Sequence, residues 1–286
     1  MDIIKPYTRV VFRGLGQIML QGNAITGLLF ALGIAIHSLG LAGAAILGAL
    51  IGTLWAKLCK YPVSAITAGL YGFNSALVAI GVSYFYSFST LTLGLLVCGG
   101  IFATWIMHVM QTYQLKPYTF PFVLTLWLIF AVVPQDVMDL PLVTLGTSNI
   151  NGVLQGFGQV MFQSNSWTGL VFILAIFVNN AKHAIWAVAA ATLAMIVAFL
   201  LHWSNTEIVA GMYSYNAVLA ALAVLLLTPQ KWLWVLAILL SILFTKLMFV
   251  LLLPALTFPF ILAIWCVAWG IHFYPNQQTN RPTDQH

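Results

Sequence analysis

Uncharged polar side chains recur in pairs inside otherwise apolar stretches of this sequence. Gln17 recurs 142 residues later as Gln159, and Thr119 recurs 138 residues later as Thr257. An amide or a hydroxyl in an apolar environment needs a hydrogen-bond partner, because leaving it unpaired costs roughly 1–3 kcal/mol. Such a group can accept hydrogen bonds from a neutral solute, or it can bond to a neighbouring helix. The chemistry on offer is therefore uncharged hydrogen bonding rather than acid–base or nucleophilic catalysis.

An internal duplication explains this pairing. Residues 14–33 read GLGQIMLQGNAITGLLFALG and residues 156–175 read GFGQVMFQSNSWTGLVFILA, with 11 identities in 20 positions. Two shorter motifs recur in the same order, namely GLYGFN at 69–74 as GMYSYN at 211–216, and TFPF at 119–122 and again at 257–260. Self-similarity of this kind indicates repeated structural units. We place the first repeat at 1–139 and the second at 140–286, together forming one structural unit.

The composition is that of an integral membrane protein. Hydrophobic residues make up 62% of the chain and charged residues 5%, with a mean hydropathy of +1.01, whereas soluble domains carry about 25% charged residues. The net charge of +5 comes from scattered Lys and Arg residues, so we expect no nucleic-acid partner. The cysteines Cys59, Cys98 and Cys266 are odd in number and match no metal-ligand spacing. We therefore predict no disulfide framework, no metal and no cofactor.

The apolar runs predict an all-α polytopic fold with five membrane crossings in each repeat. Residues 2–22 are expected to form an interfacial helix. One crossing is split into a short segment at 61–71 and a second half-span at 75–86. Because about 11 helical residues cover only about half of the hydrocarbon core, the short segment ends near the midplane as a re-entrant helix. Residues 204–214 repeat this segment. The other predicted spans are 24–40, 41–58, 88–110, 119–134, 167–180, 183–202, 217–228, 232–253 and 257–273.

The charged residues predict how the spans are oriented. With a cytoplasmic N-terminus, the acidic residues Asp136, Asp139 and Glu207 lie outside, and nine of the ten basic residues lie inside, as the positive-inside rule requires. The nine are Lys5, Arg9, Arg13, Lys57, Lys60, Lys116, Lys182, Lys231 and Arg281. Lys246 is the exception, within a span. Five crossings is an odd number, so the second repeat is inverted, an architecture typical of transporters. Both termini are then cytoplasmic.

The breaks after the two short helices are expected to place backbone carbonyls at membrane depth. Unwound backbone is tolerated there only where it is buried or lines a wet cavity. The carbonyl ends and negative dipole ends of both short helices would point to this centre. Asn74 and Asn216 are predicted to cap the broken backbone rather than to bind a solute. Such a centre accepts hydrogen bonds and repels anions, which suits a small, flat, neutral solute rich in N–H donors.

Taken together, these motifs resemble the urea transporter family. The paired Gly-x-Gly-Gln segments, GLYGFN with GMYSYN, and the two TFPF motifs carry the similarity, which spans about residues 12–273. The resemblance implies a homotrimer in which each protomer encloses its own urea channel along the pseudo-twofold axis between the repeats. It also implies two ladders of oxygen acceptors, formed by backbone carbonyls and by Gln17, Gln159, Thr119 and Thr257.

The same resemblance implies two hydrophobic slots that flank the plane of urea. Their residues are Ile18, Leu20, Phe73 and Leu77 in the first slot, and Val160, Phe162, Tyr215 and Leu219 in the second. The sequence departs from the family pattern at Leu20, where an aromatic side chain is expected. It departs again at Tyr215, whose hydroxyl is unusual in an apolar slot. The partners implied are urea, membrane lipid and further copies of the same chain.

Other transport functions are open alternatives at this point. Water pores of the aquaporin class carry twin Asn-Pro-Ala motifs, whereas this chain has Asn-Ser-Ala at 74–76 and Asn-Ala-Val at 216–218. An ammonia channel would favour histidines along the lumen. A coupled carrier for a small neutral amide would need buried carboxylates on the path. An enzyme has the weakest support, and the compact chain favours a bacterial inner membrane. Lys246 aligns with His108, and we place neither in the site.

Overall fold

The computed structural model describes residues 4–135, 144 and 148–273. The predicted boundary between the repeats, with Asp136 and Asp139, lies outside the described residues, and so does Arg281 with the C-terminus. Every regular element in the described part is an α-helix, and each repeat contributes seven. The first repeat holds α1 Ile4–Gln17, α2 Ala24–His37, α3 Leu39–Leu58, α4 Val63–Thr67, α5 Phe73–Phe85, α6 Thr90–Thr112 and α7 Phe120–Val132. The second holds α8 Ser148–Gln159, α9 Ser166–Asn179, α10 Ala181–Leu200, α11 Asn205–Val209, α12 Tyr215–Leu227, α13 Lys231–Val250 and α14 Phe258–Phe273.

The helices confirm the all-α membrane fold and follow the predicted runs to within a few residues. Four of them are long and apolar enough to cross a membrane, namely α3, α6, α10 and α13, and six shorter apolar helices accompany them. The expected caps are present. Asn23 Oδ1 accepts from the backbone N–H of Ile25 at 2.8 Å, and Asn165 Oδ1 accepts from that of Trp167 at 2.9 Å. These caps satisfy N–H groups that a helix start leaves unpaired.

The short re-entrant helices are shorter than the sequence suggested. We expected helix over 61–71 and 204–214, but α4 and α11 contain five residues each. The chain leaves each helix through a glycine in the left-handed region, Gly69 at φ +79° and Gly211 at φ +73°. A Cβ atom at Gly69 would lie 2.5 Å from the backbone nitrogen of Gly14. The turn therefore packs backbone to backbone against α1, which ends the helix early and requires glycine.

Reciprocal contacts relate the two repeats. Trp127 Nε1 donates to the carbonyl of Pro254 at 2.9 Å. Its equivalent Trp265 donates to the carbonyl of Lys116, the residue equivalent to Pro254, also at 2.9 Å. Contacts in which i meets j and the equivalent of j meets the equivalent of i are the signature of twofold symmetry. The same holds for two threonine bonds, Thr26 to Ala175 and Thr168 to Gly33.

The centre of the molecule is formed by α5 and α12. Every residue from Phe73 to Val82 in α5 and from Tyr215 to Val224 in α12 is buried. A helix that is apolar and buried on all sides belongs inside a bundle. Helix α1, predicted to be interfacial, buries Leu15 and exposes Arg9. The long helices thus surround two central helices, each of which follows directly on a re-entrant turn.

Candidate functional site

A pair of threonines joins the two repeats in the buried interior. The Oγ1 atoms of Thr119 and Thr257 lie 2.6 Å apart, and both residues are 3% exposed. Each threonine directly precedes a helix, α7 or α14, whose first residues are Phe and Pro. The hydroxyls satisfy each other across the symmetric contact, as buried hydroxyls must. This threonine pair is the point at which the two TFPF motifs meet.

Two cavities reach the threonine pair, one through each threonine. The first vestibule has a volume of about 250 Å³ and includes Thr119, and the second has a volume of about 590 Å³ and includes Thr257. The predicted site residues in the first vestibule are Gln17, Ile18, Leu20, Phe73 and Thr119. Those in the second vestibule are Gln159, Val160, Phe162, Tyr215 and Thr257. The structure thus brings ten of the twelve predicted site residues to two related cavities.

The remaining two predicted slot residues lie elsewhere. Leu77 and Leu219 are fully buried, at 0% exposure, and belong to the core rather than to either lining. Each lies one helical turn beyond Phe73 or Tyr215, which do line the vestibules. Their side chains support the lining from behind, because side chains four residues apart share one helix face. A direct contact of Leu77 or Leu219 with a solute in the vestibules is not what the structure shows.

The amide of Gln17 is held by the first re-entrant turn. Its Nε2 donates to the carbonyl of Ala68 at 3.0 Å. One helical turn earlier, Arg13 Nη1 donates to the carbonyl of Thr67 at 2.7 Å. Helix α1 therefore binds two successive carbonyls at the end of α4, a place where helix carbonyls lack partners within the helix. With Nε2 engaged, the Oε1 atom of Gln17 is the acceptor that the amide offers to the first vestibule.

The amide of Gln159 has the same place but a different partner. Its Nε2 donates to the hydroxyl of Ser164 at 3.1 Å. The first repeat has Gly22 at the position of Ser164, and a Cβ atom there would lie 3.2 Å from Gln17 Nε2. The two amides are thus held by different donors' partners, a backbone carbonyl in one repeat and a hydroxyl in the other. In both repeats the Nε2 atom is engaged by protein, which leaves Oε1 as the acceptor.

Asn74 and Asn216 fix the backbone around the threonine pair. Asn74 Nδ2 donates to the carbonyl of Tyr118 at 3.1 Å, and its Oδ1 accepts from the N–H of Phe122 at 3.2 Å. Asn216 makes the equivalent bonds to Leu256 and Phe260, both at 3.3 Å. Each asparagine therefore satisfies one carbonyl and one N–H on either side of a threonine. This agrees with the structural role that the sequence predicted for both.

The aromatic lining differs between the vestibules. Phe162 is surrounded by aromatic rings, with Tyr84 stacked at 5.4 Å and Phe85 edge-on at 5.5 Å. The first repeat has Leu20 at this position, and both residues adopt a left-handed backbone with φ of 59°. Such a conformation is costly for a residue other than glycine and persists where the surroundings enforce it. The backbone that presents this side chain is thus the same in both repeats.

Sequence reasoning missed two lining residues. Phe122 belongs to the first repeat but lines the second vestibule, and Phe260 belongs to the second repeat but lines the first. Each is the last residue of a TFPF motif, so the duplication carried the signal. Among the described lining residues, Lys116 is the charged one, in the first vestibule. A passage with so little charge suits a neutral solute, since nothing in it replaces the hydration of an ion.

Comparison with known proteins decides the family. A sequence model of the family "Urea transporter" matches residues 8–149 and again residues 150–285. The chain belongs to the urea transporter family. Urea transporter 1 of Ovis aries is 28% identical over 284 residues, covering 88% of this chain and 74% of that protein. Urea transporter 1 of Rattus norvegicus is 26% identical over 284 residues with the same coverage. The resemblance inferred from the motifs is thereby confirmed.

Membership of the urea transporter family also settles the class of function. The matched stretches cover nearly the whole chain, once for each repeat. Urea transporters are membrane channels and not enzymes, so the prediction that this chain is no enzyme is confirmed. The four long apolar helices and the six shorter ones agree with a multi-pass membrane protein.

Proposed function

We propose that this urea transporter is a passive, selective channel whose path runs from one vestibule through the threonine pair to the other. The observation that carries the proposal is the 2.6 Å contact between the two threonine hydroxyls, because each hydroxyl also lines one vestibule. The path is therefore interrupted by a single polar contact between two side chains. A hydrogen bond of this kind can be exchanged for one to a passing solute without moving the backbone.

The proposed path matches the hydrogen-bonding groups of urea. Urea carries amide hydrogens on both nitrogens and one carbonyl oxygen. Removing water from one such donor without replacing it costs roughly 1–3 kcal/mol. Oε1 of Gln17, the threonine pair and Oε1 of Gln159 would replace water in succession, so no step carries the full cost. A hydroxyl can also donate to the urea carbonyl, which an amide oxygen cannot do.

Apolar side chains would flank the plane of urea while its edges bond to oxygen. In the first vestibule Ile18, Leu20 and Phe73 are available, and in the second Val160, Phe162 and Tyr215. We keep Leu77 and Leu219 in the proposal as the layer behind Phe73 and Tyr215. A flat apolar passage excludes hydrated ions, because it offers no ligands in exchange for their water. Polar edges together with apolar faces therefore select a small planar amide.

We also propose that the repeats are inverted in the membrane and that three copies assemble. The reciprocal tryptophan contacts support a twofold relation, and an axis in the membrane plane would make it an inversion. The distribution of basic residues supports cytoplasmic termini. The homotrimer follows from the family resemblance, and the bacterial inner membrane from the compact chain. Urea and the surrounding lipid are then its partners.

Urea uptake into proteoliposomes tests the channel against a coupled carrier. Stopped-flow light scattering with the purified protein is expected to give the same urea permeability with and without a proton gradient. A carrier coupled to protons would lose uptake when the gradient is removed, and that result would overturn the channel. Equal permeation by urea and N,N′-dimethylurea, which replaces N–H donors by methyl groups, would contradict selection by hydrogen bonds.

Substitution of the threonine pair tests the proposed path. Thr119→Val and Thr257→Val keep the side-chain shape and remove one hydroxyl each. We expect each change to lower urea permeability roughly tenfold, because one acceptor and one donor are lost on the path. Thr192→Val is the matched control, since Thr192 bonds within α10 to the carbonyl of Val188 at 2.9 Å and lines neither vestibule. Unchanged permeability in both path variants would remove the threonine pair from the path.

A further inference from the structure

Each repeat places one buried tyrosine of its re-entrant turn against a basic residue and a second aromatic ring. We call the first group the Tyr71 cluster, consisting of Tyr61, Tyr71 and His108. The ring of His108 stacks on Tyr61 at 3.7 Å with an interplanar angle of 7°. Its Nδ1 lies 3.1 Å from the hydroxyl of Tyr71. The phenol of Tyr71, which is 1% exposed, thereby has the partner that a buried hydroxyl needs.

The second repeat builds the same arrangement with charged residues. We call it the Tyr213 cluster, consisting of Trp203, Tyr213, Lys246 and Glu207. Lys246 Nζ lies 5.1 Å from the ring centre of Trp203 and 5.9 Å from that of Tyr213. The hydroxyl of Tyr213 donates to Glu207 Oε2. A cation and a carboxylate thus contact the same phenol, which is 1% exposed.

The two clusters occupy equivalent positions, and they differ by one pair of exchanges. Trp203 and Tyr213 follow Tyr61 and Tyr71 by 142 residues. Lys246 stands where the first repeat has His108, and Glu207 stands where the first repeat has Ala65, as the list of paired motifs requires. The basic exchange and the acidic exchange therefore occur together in the second repeat. The net change in charge is zero.

The physical reason for a joint exchange is the cost of charge inside a membrane span. A lysine within a transmembrane helix is expensive unless a partner compensates it. Aromatic faces and a nearby carboxylate both lower that cost. The neutral imidazole of His108 needs no carboxylate, so Ala65 suffices in the first repeat. This accounts for Lys246, the one basic residue that the predicted topology places inside a span.

We propose that Lys246 and Glu207 act together as positioning residues that hold Tyr213 and the second re-entrant turn, a task that His108 performs alone for Tyr71. The chain neighbour of Tyr213, Met212, lines the second vestibule, and Leu70 beside Tyr71 lines the first. Displacing either tyrosine would move a residue of the lining. The inference rests on the proposed path, because the turn matters for transport only if the vestibules conduct.

Transplanting the set of the first repeat into the second tests the joint role. The variants are Lys246→Leu, Glu207→Ala, and the double variant Glu207→Ala with Lys246→His. We expect each single change to lower urea permeability per folded protein roughly threefold or more, since contacting residues are energetically coupled. The double variant is expected to return to within about twofold of the unaltered protein, because it recreates the set found in the first repeat. Losses that multiply in the double variant would overturn the proposal.

The reciprocal transplant and a selectivity measurement complete the test. His108→Lys alone is expected to reduce permeability, and Ala65→Glu with His108→Lys is expected to reduce it less. Lys246→Arg should retain transport, since guanidinium also binds aromatic faces. The ratio of methylurea to urea permeability should change in Lys246→Leu, because the lining has moved. Variants that lose thermal stability while this ratio and the permeability per folded protein stay constant would reduce the cluster to a structural role.

The outcome for the cluster is separable from the outcome for the path. Urea uptake by the unaltered protein reports on the proposed channel alone. If that protein conducts urea and Lys246→Leu leaves permeability and selectivity unchanged, the path stands and the positioning role is wrong. If the unaltered protein conducts no urea, the proposed channel fails before any variant is compared.

Discussion

The two repeats share a backbone plan down to single glycines, yet different side chains hold their re-entrant turns. Gly69 and Gly211 both adopt positive φ, and a Cβ atom at Gly211 would lie 2.3 Å from the nitrogen of Gly156. In the first repeat Arg13 donates to the carbonyl of Thr67. The second repeat has Gln155 at the position of Arg13. The shape of the path is thus constrained in both halves, whereas the groups that fix it are free to differ.

The vestibules show where this freedom ends. The repeats agree at the threonine pair and at both asparagine bridges, and they differ in the volume and aromatic content of the cavities, about 250 Å³ against about 590 Å³. A contact that lies on the symmetry relation must suit both repeats at once, because a change in one copy disturbs its partner. Residues away from that contact carry no such constraint. The comparison therefore predicts equal responses at shared glycines and unequal responses at the turns.

The largest effect is expected where the repeats pack backbone against backbone. A Cβ atom at Gly27 would lie 1.7 Å from the carbonyl oxygen of Phe12, and one at Gly169 would lie 1.9 Å from that of Leu154. Gly27→Ala and Gly169→Ala should therefore each prevent recovery of monodisperse protein, since overpacking costs about 1–3 kcal/mol or more and backbone cannot move aside. Size-exclusion chromatography in detergent measures this.

Gly43 provides the matched control for these glycines. A Cβ atom at Gly43 would meet nothing within 4 Å, although the residue lies in the apolar helix α3. Gly43→Ala should leave the elution profile unchanged and stabilise α3 slightly, because alanine is a better helix former than glycine. Normal recovery of one glycine variant but not the other would show that the repeats are not packed alike.

Much of this comparison could be predicted from sequence, because duplication separates recurring residues from chance. Gln17 and Thr119 were singled out because each recurs at a fixed distance, and both line a vestibule. The spans followed from long apolar runs. The helix α4 came out too long in the prediction, because its end depends on a close approach of Gly69 to α1 that the local sequence does not reveal.

Contacts between the repeats were beyond the reach of the sequence. Phe260 lines the vestibule of the other repeat, and only the folded arrangement of the repeats brings it there. Leu77 was placed in a slot by resemblance, but it lies one turn behind Phe73 and is fully buried. The partners of Gln17 and Gln159 differ although both glutamines sit in matching motifs. Local pattern identifies which residues recur, whereas tertiary packing determines what each copy touches.

An intermediate and unequal effect is expected at the two glutamines. Gln17→Leu removes an acceptor from the first vestibule and leaves the carbonyl of Ala68 without its donor, whereas Gln159→Leu leaves only the hydroxyl of Ser164. Each change should lower urea permeability roughly tenfold through the lost acceptor. Gln17→Leu should in addition lower thermal stability, because a hydroxyl can rotate to a new partner and a backbone carbonyl cannot.

Stopped-flow permeability and thermal unfolding in detergent together check the two glutamine variants. The less perturbing Gln17→Glu and Gln159→Glu keep an acceptor of the same length and serve as controls for side-chain volume. Normal permeability in both leucine variants would remove the glutamines from the path. Equal loss of stability in both would mean that the different partners of the two amides carry no energetic difference between the repeats.

The smallest effect is expected from making the first turn resemble the second. Arg13→Gln replaces the guanidinium that bonds to the carbonyl of Thr67 at 2.7 Å by the residue found at position 155. Glutamine can still donate to a carbonyl, so thermal stability should fall only slightly, by less than about 1.5 kcal/mol in the free energy of unfolding. Urea permeability should stay within about twofold, because Arg13 lines neither vestibule. Arg9→Gln, an exposed change in the same helix, is the control.

The Arg13 variant also decides what the difference between the repeats means for transport. If permeability is retained, the charge serves the turn alone, and the acceptors of Gln17 and Gln159 account for the path. If Arg13→Gln loses more permeability than Gln17→Leu, then the positive charge beside the first turn governs entry to the first vestibule. The repeats would in that case be equivalent in shape and opposed in electrostatic role, since the second repeat has no cation at the matching position.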